Sequence, residues 1–371
     1  MSKRLVETGL RAPVNLTWEV TLACNLRCRH CLSASGDPAD NELSTAEALD
    51  LVDQLHAEGV FQVNFGGGEP FLRPDFEQIL SRCHRYGIMT CISTNGTVVD
   101  PRLVARLSKT RLVAIQVSLD GGNRETCDMI RGNGTFDAAV NSLKLLAGTT
   151  IPTSINTVLT CLNADEIPAI HDLARSLGVA LRVSRFRPSG RGAQQWELLR
   201  PSARQLLGFS EWLARCGDVR TGDSFFSLTP QERQGLGLNL CGAAKLTCCV
   251  GPGGNVYPCA FLQSRPFHAG SLRERSFREI WGRSKVFASF RRLRIRSCVE
   301  CRRYDQCHGG CPAVAYHQAK GIDGGDPECL ERCVSALPGD PAKAPDLRRK
   351  TAPPRKPPTG AGQTAFQESP S

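Results

Sequence analysis

Nowhere in these 371 residues does an uninterrupted apolar run approach the roughly 18 to 20 side chains that a membrane-spanning helix needs. Nor does the start, MSKRLVETGLRAPVNLTWEV, carry a secretory signal: it begins basic but lacks an apolar h-region and a small-residue cleavage site. Aromatic residues are only 6% and no internal repeat is evident. With 41% hydrophobic and 22% charged residues, the chain can bury one large core or two smaller ones. These absences point to a soluble, cytoplasmic protein with no membrane partner.

Cysteine, by contrast, is abundant. Eighteen cysteines without an export signal are not a disulfide framework, because cytoplasmic thiols stay reduced, so metal is the default reading. Three lie between Cys24 and Cys31 and ten between Cys241 and Cys333, which makes two separate metal regions. The formal net charge of +10 would ordinarily suggest nucleic acid or anionic lipid. Between Arg265 and Arg303, however, twelve Lys/Arg stand against three Glu, leading straight into the second cysteine group. Clusters held by thiolates are anionic. This segment therefore reads either as the neutraliser of buried anions or as the docking site of an acidic peptide or protein, and nucleic acid is not expected.

From Leu16 to Pro188, short β-rich runs alternate with helix-like runs, the pattern of parallel strands with covering helices. Six strands are predicted, near residues 16–20, 61–65, 89–94, 112–119, 153–159 and 180–186. Ser44-Thr45-Ala46-Glu47 is a capping box for a helix running through Leu55. Further helices are expected over 75–86, 101–108, 135–146 and 164–177, the last with Asn163 as cap and Gly178 as stop. Six units are too few for a closed eight-unit barrel and suit an open barrel or a doubly wound sheet, both of which gather function at the carboxyl ends of their strands. Four consecutive strand ends carry such chemistry: three cysteines, Gly66-Gly67-Gly68-Glu69-Pro70, Ser93-Thr94-Asn95-Gly96, and Ser118-Leu119-Asp120-Gly121. The expected organisation is an N-terminal extension (1–15), a barrel-like part (16–190), a bridge (191–236), a metal-held cysteine-rich domain (237–336) with a helix near 277–290, and a disordered proline-rich basic tail (337–371).

Cys24, Cys28 and Cys31 form C-x3-C-x2-C directly after the first strand. Three thiolates suit an iron-sulfur cube whose fourth iron is open to a ligand. Zinc completed by His30 or a distant ligand is the competing reading. Together with a GGE at the end of the second strand, the motif resembles the radical S-adenosylmethionine (SAM) superfamily. That resemblance implies an α/β fold with a partial (β/α)6 barrel, and SAM chelated by the open iron through its amino and carboxylate groups. One electron to the sulfonium then gives a 5′-deoxyadenosyl radical. Also implied are SAM-binding roles for His30, where the family often has an aromatic, for Gly67, Gly68 and Glu69, and for Ser118 and Arg131. Asn95 and Asp120 lie beside these positions, though an Asp before Gly is most often only a turn residue.

In the second region Cys241 is followed by Gly254-x4-Cys259, then Cys298-x2-Cys301-x5-Cys307-x3-Cys311, then Cys329. This resembles the seven-cysteine SPASM domain of radical enzymes that modify peptides, which binds two auxiliary clusters. The resemblance implies three [4Fe-4S] clusters in all. Auxiliary cluster I would take Cys241, Cys259, Cys311 and Cys248 or its neighbour Cys249; auxiliary cluster II would take Cys298, Cys301, Cys307 and Cys329. A pair of zinc ribbons binding nucleic acid is the competing reading, and it explains nothing in the first half. Cys83, Cys91, Cys127, Cys161 and Cys216 have no ligand spacing and receive no role. Cys333 is a spare that could replace Cys329.

Leu16-Thr17-Trp18-Glu19, Arg187-Pro188-Ser189-Gly190-Arg191-Gly192, Thr221 to Phe226, Gly237 to Gly242, and Asp326-Pro327-Glu328-Cys329 further resemble the radical maturases of mycofactocin biosynthesis, over roughly 13–330. That family resemblance implies oxidative decarboxylation of the C-terminal Tyr of a ribosomal precursor peptide ending in Val-Tyr, followed by a carbon–carbon link between the valine and the tyramine. Hydrogen would leave the tyrosine β-carbon, and an auxiliary cluster would accept the remaining electron. Fifteen residues before Leu16 are too few for a leader-binding domain, so a small peptide-binding chaperone is expected as partner, with an electron donor such as a flavodoxin or ferredoxin. No general base is identified. A thioether-forming or sulfatase-activating SPASM enzyme is the alternative. Gly251-Pro252-Gly253-Gly254 and the doubled Cys248-Cys249 depart from the usual pattern.

Overall fold

Six parallel strands stand side by side in chain order: β1 (Asn15–Thr21), β2 (Gln62–Gly67), β3 (Met89–Thr94), β4 (Leu112–Ser118), β5 (Thr153–Leu159) and β6 (Ala180–Arg185). The computed structural model describes residues 10–110, 112–221, 225, 241–301, 304–318 and 321–329. Residues 1–9 of the N-terminal extension, residues 222–224 and 226–236 of the bridge, Cys333 and the basic tail lie outside them. Every strand pairs with its sequence neighbour, so the order never reverses as it would at the switch point of a doubly wound sheet, and the open-barrel expectation holds.

Between the strands run α1 (Thr45–Ala57), α2 (Phe76–Arg85), α3 (Pro101–Leu107), α4 (Arg124–Arg131), α5 (Thr135–Ala147) and α6 (Ile167–Ser176). The Ser44–Glu47 capping box forms, and α1 buries Ala48, Leu51, Val52 and Leu55. The strands alternate with period two. Leu16, Trp18, Val63, Phe65, Ile92, Ile115, Val117, Ile155, Leu181 and Val183 are buried in the core, where Phe65 meets Trp18 and Phe76 at centroid distances of 5.6 and 5.2 Å. Thr17, Gln62, Asn64, Gln116, Ser118, Asn156, Arg182 and Ser184, at the alternate positions, are half-buried. A parallel sheet covered on both faces would be apolar on both. The polar second face here lines a hydrophilic lumen.

Asn163 does not cap its helix. It is fully buried, and its Oδ1 accepts from the Thr160 backbone N–H while Nδ2 donates to the carbonyls of Asp120 and Val158. The sequence analysis missed α4, a short helix whose apolar residues are only Cys127, Met129 and Ile130, and α7 (Ala203–Arg215), whose Ser202–Gln205 capping box was legible. The helix expected near 277–290 is two helices, α8 (Phe277–Arg283) and α9 (Lys285–Arg291), because Ser284 takes an extended conformation and caps the second.

The second half joins the same sheet. β7 (Thr247–Val250) pairs in parallel with the outer edge of β1, placing Cys248 opposite Leu16 and Cys249 opposite Thr17. β8 (Asn255–Tyr257) and β9 (Gly270–Ser271) follow antiparallel, completing nine strands in the order β6-β5-β4-β3-β2-β1-β7-β8-β9. The hydrogen-bonded sheet thus crosses the boundary expected between barrel and cysteine-rich domain, and β1 has no open edge. Among the described residues no helix is long and apolar enough to cross a membrane.

Leu16 is fully buried on the strand that both halves flank. Leu16→Ala is expected to cost about 2–5 kcal/mol, read as a lower urea midpoint of the anaerobically purified chain.

Candidate functional site

The loop after β1 closes on itself: Gly36 N–H donates to the Leu22 carbonyl at 2.9 Å and Cys24 N–H to the Gly36 carbonyl at 2.7 Å. Glu42 pins the start of the loop, its Oε1 accepting from the backbone N–H of Leu22 (2.7 Å) and Ala39 (3.0 Å) and from the Thr21 hydroxyl (3.0 Å). Inside the loop sit Cys24, Cys28 and Cys31, close enough that the charges of Cys24 and Cys31 both act on Cys28. Burial pushes the Cys24 and Cys28 thiols up. A ligand that needs thiolates must therefore displace protons when it binds.

The end of β2 presses against this loop. Gly68 N–H donates to the Thr21 carbonyl at 2.7 Å and Glu69 N–H to the Ala23 carbonyl at 2.8 Å. A Cβ on Gly68 would lie 2.1 Å from the Ala23 oxygen, and Gly67, at φ +109, sits in the region that favours glycine. Glu69 is fully buried, accepting from the Thr94 hydroxyl (2.9 Å) and from the backbone N–H of Asn95 (2.7 Å) and Phe71 (3.3 Å). Burial dominates these bonds and pushes its carboxyl up to about 7. Asn95 meets the cysteine loop itself, with Nδ2 2.9 Å from Asn25 Oδ1 and 3.9 Å from Cys24 Sγ.

Asp120 is no surface turn residue. It is fully buried, its Oδ2 lying 2.9 Å from His30 Nε2 and 2.6 Å from Arg131 Nη1, while Oδ1 accepts from the Val158 backbone at 2.6 Å. Burial alone would raise its carboxyl, but His30 and Arg131 together hold it well below the usual carboxylate range. Both partners keep one buried ring or guanidinium nitrogen without a partner, His30 Nδ1 and Arg131 Nε. Ser118 ends β4 half-buried, opposite Asn156. His30, Glu69, Asp120, Arg131 and the three cysteines thus belong to one rim.

The Arg187–Gly192 turn is explained by the same loop. Arg191 donates to the carbonyls of Cys28 (2.8 Å) and Ser35 (2.7 Å), and Gly192 N–H to that of Cys31 (3.2 Å). A Cβ on Gly190 would lie 2.2 Å from the Leu32 oxygen. The sequence analysis did not assign Glu42 or Arg191; their backbone-directed roles leave no spacing signal.

In the second region the thiols fall into two groups. Cys241 and Cys311 both act on Cys259, and Cys298, Cys301 and Cys329 all act on Cys307; burial comes first in raising each of the two central thiols. Strand alternation separates the doubled cysteines. Cys248 lies in the apolar core with Arg291 as its charged neighbour, whereas Cys249 shares the face of Thr17 and Glu19, and its thiol feels both Glu19 and Cys259. Among the described residues no three His, Cys, Asp or Glu side chains converge at the distance of a single ion.

A buried network ties this region to the barrel. Arg185, at the end of β6, donates to both oxygens of Asp326 (2.5 and 2.7 Å) and to Glu328 Oε2 (2.6 Å). Asp326 in turn accepts from the Cys311 backbone N–H at 3.0 Å.

Residues 18–174 match the radical SAM superfamily, and residues 241–312 match an iron-sulfur cluster-binding domain, SPASM. The chain is 43% identical over 332 residues to a mycofactocin maturase of Mycolicibacterium smegmatis, covering 88% of this chain and 84% of the relative. It is 31% identical over 345 residues to an AdoMet-dependent heme synthase of Methanosarcina barkeri, covering 86% and 97%. Among solved structures, that of Streptococcus suis SuiB bound to precursor peptide SuiA superposes with a TM-score of 0.72 at 19% identity, over 85% of this chain and 75% of that one, a likeness of fold.

Glu69 makes stability depend on pH. With its carboxyl at about 7 in the folded chain against an ordinary 4.5, the folded state keeps a proton that the unfolded state releases. Stability is therefore full below about pH 4.5 and falls as pH rises through about 7, by roughly 3 kcal/mol in total. Urea midpoints of the cluster-free chain at pH 5 and 7.5 are expected to differ by more in the wild type than in Glu69→Gln.

Proposed function

Since this chain belongs to the radical SAM enzymes with a SPASM domain, in the family of the mycofactocin maturases, we propose that its substrate is a ribosomal precursor peptide ending in Val-Tyr. The proposed reactions are removal of the C-terminal carboxylate as CO2 together with two hydrogens, then closure of a carbon–carbon bond between the valine and the resulting tyramine unit. The single observation that carries the reading is the rim itself: three adjacent thiols, a backbone approach that excludes a Cβ, and the buried nitrogens His30 Nδ1 and Arg131 Nε.

The residues suit the implied groups. Cys24, Cys28 and Cys31 would hold a [4Fe-4S] cluster with one open iron. Glu69, with the Gly67-Gly68 backbone, would receive the ammonium of SAM, and His30 Nδ1 and Arg131 Nε offer the unpartnered atoms for its remaining polar groups. Ser118 stands at the same rim as a further contact. Bound there, cluster and SAM supply a hydrogen-abstracting 5′-deoxyadenosyl radical, so the protein's part is placement and exclusion of water. Asp120 holds His30 and Arg131 in position for this. Two auxiliary clusters would take Cys241, Cys249, Cys259 and Cys311, and Cys298, Cys301, Cys307 and Cys329. Cys249 rather than Cys248 is proposed as the fourth ligand of the first set, a choice supported by the charge interaction of Cys249 with Cys259 and by the place of Cys248 in the apolar core. A peptide-binding chaperone and a flavodoxin or ferredoxin complete the expected partners.

The test is anaerobic incubation of the reconstituted chain with SAM, reductant, a Val-Tyr-ending peptide and a candidate chaperone, followed by mass spectrometry. Loss of CO2 and two hydrogens, with release of 5′-deoxyadenosine, is the expected result; 5′-deoxyadenosine without any change in the peptide mass would point to a different peptide. Gly68→Ala is expected to weaken SAM binding at least tenfold and to lower the iron content, because its methyl must displace the Ala23 carbonyl beside Cys24.

A further inference from the structure

Two buried arginines leave the end of β6 towards the second metal region, and their surroundings differ. Arg185 is enclosed by the carboxylates of Asp326 and Glu328. Arg187, equally buried, places its guanidinium carbon 4.2 Å from the centroid of the Phe261 ring, two residues from Cys259. That is a close cation–π contact, and it holds the charge beside the ligand-bearing turn. Arg187 lies close enough to Cys259 for its charge to act on the sulfur.

We propose that Arg187 is a positioning residue for auxiliary cluster I, a buried cation held by Phe261 that raises the reduction potential of the cluster bound at Cys259. The inference rests on the ligand set given under Proposed function. Reduction adds one negative charge to an already anionic cluster, and the potential of such a cluster follows the charge and solvent exposure around it. A cation in a dry interior acts there with little screening. The proposed decarboxylation leaves an electron to dispose of, and a raised potential suits this cluster to take it. The charge also gives part of the basic excess a purpose that does not involve nucleic acid.

The experiment is an EPR-monitored redox titration of the anaerobically reconstituted full chain, with the signal of auxiliary cluster I assigned by its loss in Cys259→Ala. In Arg187→Gln that midpoint is expected to move to lower potential while the other midpoints stay in place, and Arg187→Lys is expected to restore most of the shift. Phe261→Leu keeps the charge but removes the ring that holds it, so a smaller shift in the same direction is expected. An unchanged midpoint in whichever of Arg187→Gln and Phe261→Leu retains full iron content overturns the proposal. Failure of the peptide reading would appear separately, as an unaltered peptide with the wild-type chain, and leaves these potentials unaffected.

Discussion

The close backbone approach between the end of β2 and the loop that follows β1 is the constraint on which the rest of the site depends. Two hydrogen bonds, Gly68 to Thr21 and Glu69 to Ala23, draw the second strand end onto the cysteine loop, and they form only where no Cβ intervenes. That approach sets Glu69 in a dry pocket, where its carboxyl resists ionisation, and brings Asn95 within reach of Cys24. From the far side of the barrel, Asp120 gathers His30 and Arg131 onto the same loop, and Arg191 closes it from the end of β6. The loop is therefore clamped by strands one, two, four and six, so three thiols on fifteen irregular residues can hold a fixed geometry.

β1 is the second shared element. It pairs on one side with β2, which supplies the glycine approach, and on the other with β7, which carries Cys249. Strand alternation then divides two adjacent cysteines between core and lumen without any help from their side-chain chemistry. The Arg185–Asp326–Glu328 network performs the corresponding task at the β6 edge of the barrel, where Asp326 holds the backbone of Cys311. A barrel and a metal-held region joined at both edges in this way leave the two halves little freedom to move apart.

Much of this was legible in advance. The six strands were located within about two residues at each end, because β-branched runs bounded by glycine and helix caps carry a strong local signal. The cysteine spacings named both metal regions, since ligands on one loop must be close in sequence. Asp120 leans towards a turn residue in sequence because an Asp-Gly pair looks the same whether it caps a loop or sits buried between His30 and Arg131. Asn163 was misread as a helix cap because its partners are the Thr160 N–H and the carbonyls of Val158 and Asp120, the last of them at another strand end. The helix near 277–290 was drawn as one because its apolar period continues across Ser284, whereas the break comes from that residue's own hydroxyl.

Composition, spacing and periodicity were sufficient by themselves to determine the strand order, the parallel architecture and the two cysteine-rich regions, because each of these is written in residues near one another along the chain. Tertiary structure alone decided which cysteine of the doubled pair is turned into the apolar core, which carboxylate is buried between His30 and Arg131, and which arginine lies against Phe261. Those outcomes depend on strands that are distant in sequence and meet only when the sheet is assembled, and on the burial that assembly creates.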